Sequence, residues 1–321
     1  MTSCSKQSGY VTRTRQSGNV VVIDEAHLLF DDMLQERLLS PCRYPAQRKT
    51  SAGFQRLPVF AHEVTGDPHG FDPDRAQGRF LINALQFIRR LQDEGYPVHP
   101  SPPAEEINEL LGYFGIIRDD LLNFITCAGI LAFDETGSPF GVWQSAWREG
   151  AVLNVPLREL IKTDTLAPAT CSGEEKAIFL VENSGVFSEI VDRFAGRPLP
   201  PVVCTHGQAK LAALLLLDRL VAGGSTLYYS GDFDPEGLQM AQRMARRYGE
   251  ALKLWRYDAG DYKSSISEVT IPPERLKKLQ SIDPPGLKPV EEMLVSTGQA
   301  GYQEHLVHKL VADIKEKIHN D

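Results

Sequence analysis

The chain predicts an α/β fold, a parallel sheet flanked by helices, preceded by a mixed, helix-rich N-terminal domain. Three observations carry this. Four short apolar runs, "AIFLV" (177–181), "PVVCT" (201–205), "STLYYSG" (225–231) and "ALKLWRY" (251–257), read as strands. Three helical stretches, "SGVFSEIVDRFAG", "QAKLAALLLLDRLVAG" and "PEGLQMAQRMARRYG", lie between them, and this βαβαβαβ alternation predicts a parallel sheet covered on both faces. An apolar content of 42% with 24% charged residues is ordinary for a chain that buries a real core.

At 321 residues, two domains are expected on a prior of about 150 residues each. Residues 1–58 form an N-terminal extension in which Pro, Ser and Gly interrupt every period of "SPCRYPAQRKTSAG". Residues 59–165 read as a helix-rich module compatible with a winged helix. Its clearest element is "RFLINALQFIRRLQDEGY", with Phe80, Leu81, Ala84, Leu85, Ile88 and Leu91 at helical spacing and a stop at Gly95 and Pro97. "PAEEINELLGYF" and "IRDDLLNFITCAGI" suggest two short elements, and "VWQSAWREGAVLNVPLRELIK" a strand pair and a helix. Residues 166–270 hold the α/β domain. From 271 to 321, the Pro-rich "IPPERLKKLQSIDPPGLKP" reads as a connector and "GYQEHLVHKLVADIKEKIHND" as a terminal amphipathic helix.

Several function classes recede on simple grounds. No run reaches the ~18 apolar residues of a membrane helix, since Asp218 and Arg219 break the richest one. The polar N-terminus lacks the apolar core of a secretory signal. Five scattered cysteines, with no Cys-x-x-Cys pair, argue against a disulfide framework or a zinc knuckle, and the compartment is read as cytoplasmic. A formal charge of −8 means that any nucleic-acid contact must use a local basic patch. "NVVVIDEAHLLF" resembles the Walker B strand of a DEAH-type ATPase, but no Walker A loop follows or precedes it, so an active ATPase is not expected.

The chemistry concentrates where strands end. Glu182 directly follows the first run; Asp232 follows the third, with Asp234 two residues later. In an open α/β sheet, ligands bind outside the carboxyl ends of the strands, so neighbouring strands would place these three carboxylates in one small volume. Their repulsion is best relieved by a hard cation, and oxygen-only donors favour Mg²⁺ or Mn²⁺ over zinc. A plainer reading also exists: Asp234 as N-cap, Pro235 at N1 and Glu236 at the positive end of the helix dipole. Capping does not explain Glu182.

"FLVENSG" and "YYSGDFDPEG" resemble the glutamate and Asp-x-Asp motifs of the Toprim domain, the second being particularly similar to topoisomerase VI A subunits. With "TGDPHGFD", "GIIRDDLLNF", "PVVCTHGQAKLAALLLLDRL", "LWRYDAGDY" and "YQEHLVHKLVADI" in the same order, residues 60–320 resemble the Toprim nuclease subunits (JetD-like) of bacterial Wadjet plasmid-defence systems. The resemblance implies a metal-dependent DNA-cleaving subunit, recruited to double-stranded plasmid DNA by an SMC-like motor complex and acting as a homodimer. It assigns Glu182, Asp232 and Asp234 to the metal site, with Glu236 as a further acid.

Other residues on the same sheet edge are weighed beside these. His206, in "CTHGQ", would reach a scissile phosphate or serve as a hydrogen-bonded loop residue. Arg243, Arg246 and Arg247 make a basic stripe that would track a DNA backbone or face solvent. Asp258 and Asp261 would support the site from behind. Tyr96 and Tyr113 are the tyrosines available for transesterification, but no pattern marks either, so hydrolysis is expected. "GDPHGFDPD" carries Asp67, His69, Asp72 and Asp74 on a loop without a strand before it. Two other classes stay open: a haloacid-dehalogenase-like phosphatase, which places Asp-x-Asp on its first strand, and a non-catalytic scaffold subunit.

Overall fold

A computed structural model describes residues 54–169, 175–282 and 286–319. The DEAH-like stretch and nearly all of the expected extension 1–58 lie outside the described residues. The chain divides into two compact units between Arg118 and Asp119, not at the expected 165/166. The reason is sheet pairing: segments on the N-terminal side of residue 165 supply strands to the second unit.

In the first unit, β1 (Gln55–Arg56) leads into α1 (Leu57–Thr65), followed by α2 (Ala76–Gln92), α3 (Ala104–Tyr113) and β2 (Ile116–Ile117). Phe60, Leu81, Leu85, Leu110 and Leu111 are almost wholly buried in one core. The face that α2 buries is Leu81, Ile82, Leu85 and Gln86, while Phe80 and Leu91 of the expected stripe are 43% and 70% exposed. β1 and β2 pair in parallel. A wing is an antiparallel hairpin, so the described residues of this helix-rich unit contain none.

The second unit opens with β3 (Phe124–Ala128), β4 (Ile130–Phe133), α4 (Gly141–Arg148), β5 (Leu153–Pro156) and β6 (Thr165–Pro168). The expected strand pair in "VWQSAWREGAVLNVPLRELIK" is therefore a helix and a strand. Trp143 and Ala146, three residues apart, are buried along one side of that helix. The predicted alternation follows as β7 (Lys176–Val181), α5 (Ser184–Asp192), β8 (Val202–Cys204), α6 (Leu211–Ala222), β9 (Ser225–Ser230), α7 (Pro235–Tyr248) and β10 (Leu252–Leu254). After it come α8 (Ala259–Ser265), β11 (Ile266–Thr270), α9 (Lys288–Thr297), β12 (Gln299–Gly301) and α10 (Val307–His319). The expected connector thus carries structure of its own, and the terminal helix begins at Val307.

Six strands form the central sheet in the order β10-β9-β7-β8-β3-β5. β10, β9, β7 and β8 are mutually parallel, as expected; β3 runs antiparallel to β8 and β5 antiparallel to β3. From β7 the chain moves outward to β8, then crosses to the other side of β7 to form β9 and continues to β10. Right-handed crossovers place α5 on one face and both α6 and α7 on the other. The side chains agree: Arg247 of α7 holds Asp218 of α6 at 2.8 Å, and α10 packs with α5. The pairing of β7 with β9 is consequently the topological switch point, where loops diverge to opposite faces and leave a crevice. Among the described residues, no helix is long and apolar enough to cross a membrane.

β7 is the most enclosed strand, with Ile178, Phe179, Leu180 and Val181 all 0% exposed. Leu180→Ala should cost about 3 kcal/mol through lost burial and the cavity left behind. Leu122→Ala, at a 72% exposed position, should change stability by less than ~0.5 kcal/mol. Urea unfolding of the two variants checks this as a shift in midpoint at constant slope.

Candidate functional site

Two strand ends build the site. β7 stops at Val181, and Glu182 is the first residue of the loop. Asn183 then caps α5, its side chain accepting from the Gly185 N–H at 2.7 Å. β9 stops at Ser230, which pairs with Val181. Asp232 and Asp234 follow, with the wholly buried Phe233 between them stacking on Tyr257 at 4.7 Å between ring centres. Phe233 also exchanges two backbone hydrogen bonds with Gly301, of 2.8 and 3.0 Å, so the acidic loop is tied to β12.

Glycine makes the close approach possible. A Cβ at Gly231 would lie 2.7 Å from Oε2 of Glu182, and one at Gly237 would lie 2.2 Å from the carbonyl oxygen of Asp232. Gly231 therefore lets the two carboxylate loops pack against each other without a side chain between them, and Gly237 lets the acidic loop fold back onto the start of its own helix.

Burial, and then the charges of Asp232 and Asp234, push the Glu182 carboxyl up to about 7. Two donors partly offset this: the Asp232 backbone N–H, and Tyr229 Oη at 3.4 Å. Burial also raises Asp232 to about 6, against the pull of the Gln303 N–H, which donates to its Oδ1 at 2.8 Å; Glu304 and Asp234 add repulsion. Two half-shielded carboxylates with raised proton affinities thus share the switch-point crevice.

Asp234 is the helix N-cap that the plainer reading foresees, accepting from Gly237 N–H at 2.7 Å, and its other oxygen receives Arg275 Nη2 at 2.7 Å. Glu236 stands apart from the Glu182–Asp232 pair in character. Burial would raise its carboxyl, yet hydrogen bonds from Arg275 and Lys278 hold it at about 2. Its charge is already neutralised by protein cations. Among the described residues, no three His, Cys, Asp or Glu side chains stand ready-arranged as a metal cage. The pair that best fits a hard cation is Glu182 with Asp232, which receive only neutral hydrogen-bond donors among the described contacts and no arginine or lysine.

His206 sits on the expected edge with φ of 55°, but its ring turns to β3. The Thr126 hydroxyl donates to Asn154 Oδ1 at 2.6 Å, so Nε2 of His206 donates to Thr126, also at 2.6 Å. Burial, then Lys210, lowers its proton affinity. No described hydrogen bond joins it to the carboxylates. Arg247 of the basic stripe is committed to Asp218, while Arg243 and Arg246 are exposed. Asp258 caps α8, and Asp261 pairs with Lys309 at 3.2 Å. Within the first unit, Asp67 binds Arg75 and the His69 N–H, and His69 meets Asp72, so "GDPHGFDPD" ties its own turn together. Tyr113 donates to Gln92, and Arg89 lies over the rings of Tyr113 and Tyr96.

Sequence reasoning missed Asn183, Arg275, Lys278, Gln303 and Glu304 as site residues. The last two lie in "YQEHLVHKLVADI", so the motif was visible while its place beside Asp232, some 70 positions away, was not.

A family model described as the C-terminus of a protein of unknown function (DUF2399) matches residues 153–314, just over half of the chain, and includes Glu182, Asp232, Asp234 and Glu236. A second, described as the N-terminus of a protein of unknown function (DUF3323), matches residues 32–132. No curated protein matches the chain.

Glu182 makes its contribution to stability pH-dependent. Its folded value near 7 exceeds the ordinary 4.5, so the folded state favours the protonated form, and that contribution is present at low pH and lost as pH rises through 7. In chelator, Glu182→Gln should match the wild type near about pH 4 and exceed it by roughly 1–3 kcal/mol near about pH 8. Thermal unfolding across this range is the measurement.

Proposed function

We propose that this chain, which belongs to the DUF2399 family, is a Mg²⁺- or Mn²⁺-dependent endodeoxyribonuclease subunit of the Toprim type, hydrolysing phosphodiester bonds of plasmid DNA. The observation that carries this reading is the meeting of Glu182 and Asp232 at the carboxyl ends of adjacent parallel strands, at the switch point, with proton affinities raised by burial and by neighbouring carboxylates. The sequence resemblance to JetD-like subunits supports the same class, and with it an SMC-like motor complex as partner, double-stranded plasmid DNA as substrate and a homodimeric assembly.

Asp232 and Glu182 would hold the metal, with Asp234 and Glu236 joining only by exchanging their bonds to Arg275 and Lys278. When bound, such an ion neutralises charge on the phosphate and stabilises the leaving oxygen. The protein's own contribution is orientation and proton transfer. The Gln303 N–H fixes Asp232, and the Asp232 N–H with Tyr229 fixes Glu182. In the alternative in which Asp232 holds the ion and Glu182 does not, the Glu182 carboxylate near 7 is matched to accepting a proton from an attacking water at neutral pH. His206, bound to Thr126, is better suited to shaping the loop after β8 than to acid–base work.

A scaffold reading draws on one specific observation: Arg275 and Lys278 already answer two of the four acids. The phosphatase reading finds less support, because Asp232 follows the third of the parallel strands in chain order, not the first.

Supercoiled plasmid incubated with Mn²⁺ or Mg²⁺ separates these. Wild type should nick or linearise it, and Asp232→Ala, folded by circular dichroism, should lose on the order of 100-fold or more in rate. Equal cutting by both proteins would place the chemistry elsewhere. Phosphate release from small esters without DNA cutting would favour the phosphatase, and inactivity in both assays the scaffold.

A further inference from the structure

The strands that flank the β7–β9 pair, β8 and β10, end in the same unusual way. Among the described residues other than glycine, only His206 and Arg256 have φ in the left-handed region, at 55° and 51°, and each lies two residues beyond its strand. That conformation is unfavourable for a residue with a Cβ and persists only where its surroundings impose it, which happens most often beside functional sites. For Arg256 the imposing group is Asp313 on α10. Its Oδ2 accepts from Arg256 Nε at 2.6 Å and from Trp255 Nε1 at 2.8 Å, and its Oδ1 accepts from Arg256 Nη2.

The turn at Arg256 delivers the next side chain to the acidic loop. Tyr257 is 3% exposed, stacks on Phe233 and donates its Oη–H to the carbonyl oxygen of Asp232 at 2.6 Å. A phenylalanine would stack equally well, so the hydroxyl answers the acid's backbone and not the ring. Asp232 is thereby held at three points by three separate segments: its N–H by Glu182, its C=O by Tyr257 and its Oδ1 by the Gln303 N–H. None of the described hydrogen bonds reaches Oδ2. The three bonds therefore fix in place an oxygen that no described donor occupies.

We propose that Tyr257 is a positioning residue of the candidate site, holding Asp232 through its backbone carbonyl in the orientation the reaction uses, with Arg256 and Asp313 fixing the turn that presents it. This deepens the nuclease reading above and rests on it. Tyr257 acts through Asp232 and takes no part in the chemistry itself.

Tyr257→Phe keeps the stacked ring and removes the O–H. In chelator, peptide-resolved hydrogen exchange over residues 231–234 should quicken by ~10-fold or more in this variant. With Mn²⁺, at a temperature well below its melting point, its plasmid cleavage should lose ~10-fold or more in kcat while KM stays within about twofold of wild type. A merely structural hydroxyl would lower the melting temperature and leave kcat at that temperature unchanged. Asp313→Asn, which weakens the hold on Arg256, should show a smaller fall in kcat at unchanged KM, and supplies the readout if Tyr257→Phe does not fold. Wild-type kcat in the folded variants, or unchanged exchange in Tyr257→Phe, would overturn the role of Tyr257 and leave the nuclease reading standing. A wild type that cuts no plasmid would overturn both.

Discussion

The parallel pairing of β7 with β9 is the contact on which the rest depends. It sets Val181 opposite Ser230, so the first residues beyond these strands emerge side by side. Because the chain leaves β7 toward one face and β9 toward the other, nothing of the intervening chain fills the gap between the two loops. Glu182 and Asp232 occupy that gap, partly withdrawn from water, with Asp232 and Asp234 facing Glu182, and Glu304 and Asp234 facing Asp232. Their raised proton affinities are the electrostatic record of this placement. A sheet with the same strands in another order would scatter the same residues along its edge.

The C-terminal segment acts on this pair from two directions. Arg275 and Lys278 draw the charge of Asp234 and Glu236 away from the crevice, while Gln303 and Glu304 approach Asp232 from β12. The Phe233–Gly301 backbone exchange and the Phe233–Tyr257 stacking lock the acidic loop between these contacts. The four acids thus fall into two electrostatic classes. Asp234 and Glu236 are satisfied by arginine and lysine; Glu182 and Asp232 are not, and any cation-dependent chemistry centres on them. The absence of a ready three-ligand cage among the described residues follows from the same division, since Arg275 occupies the space between Asp234 and Glu236.

Much of the α/β unit was legible in the residues alone. All four apolar runs from 177 to 257 are strands, the three stretches between them are helices, and the four strands are parallel, because both-face burial imposes continuous apolar character on each. The N-cap role of Asp234 and N1 role of Pro235 were equally readable, being set within four residues of chain. Errors arose where short apolar pieces have no period long enough to decide. "VWQSAW" is a helix because its two buried residues fall three apart, and β3 and β5 joined the main sheet across the expected boundary at 165/166. The stripe on α2 was placed on the wrong side for Phe80 and Leu91, since helical spacing defines a face only to within the width that the partner helices cover.

What the sequence by itself determined, then, is local: which segments are strands, where carboxylates follow them, and which residue starts each helix. These depend on neighbours within a few positions, whose steric and hydrogen-bonding preferences act without the rest of the fold. Only the tertiary structure decided that β7 adjoins β9, that His206 turns to Thr126, and that Arg275, Gln303 and Glu304 reach the acidic loop. Strand order and long-range charge pairing are set by competition among many possible packings, and no single stretch of chain contains the information that resolves it.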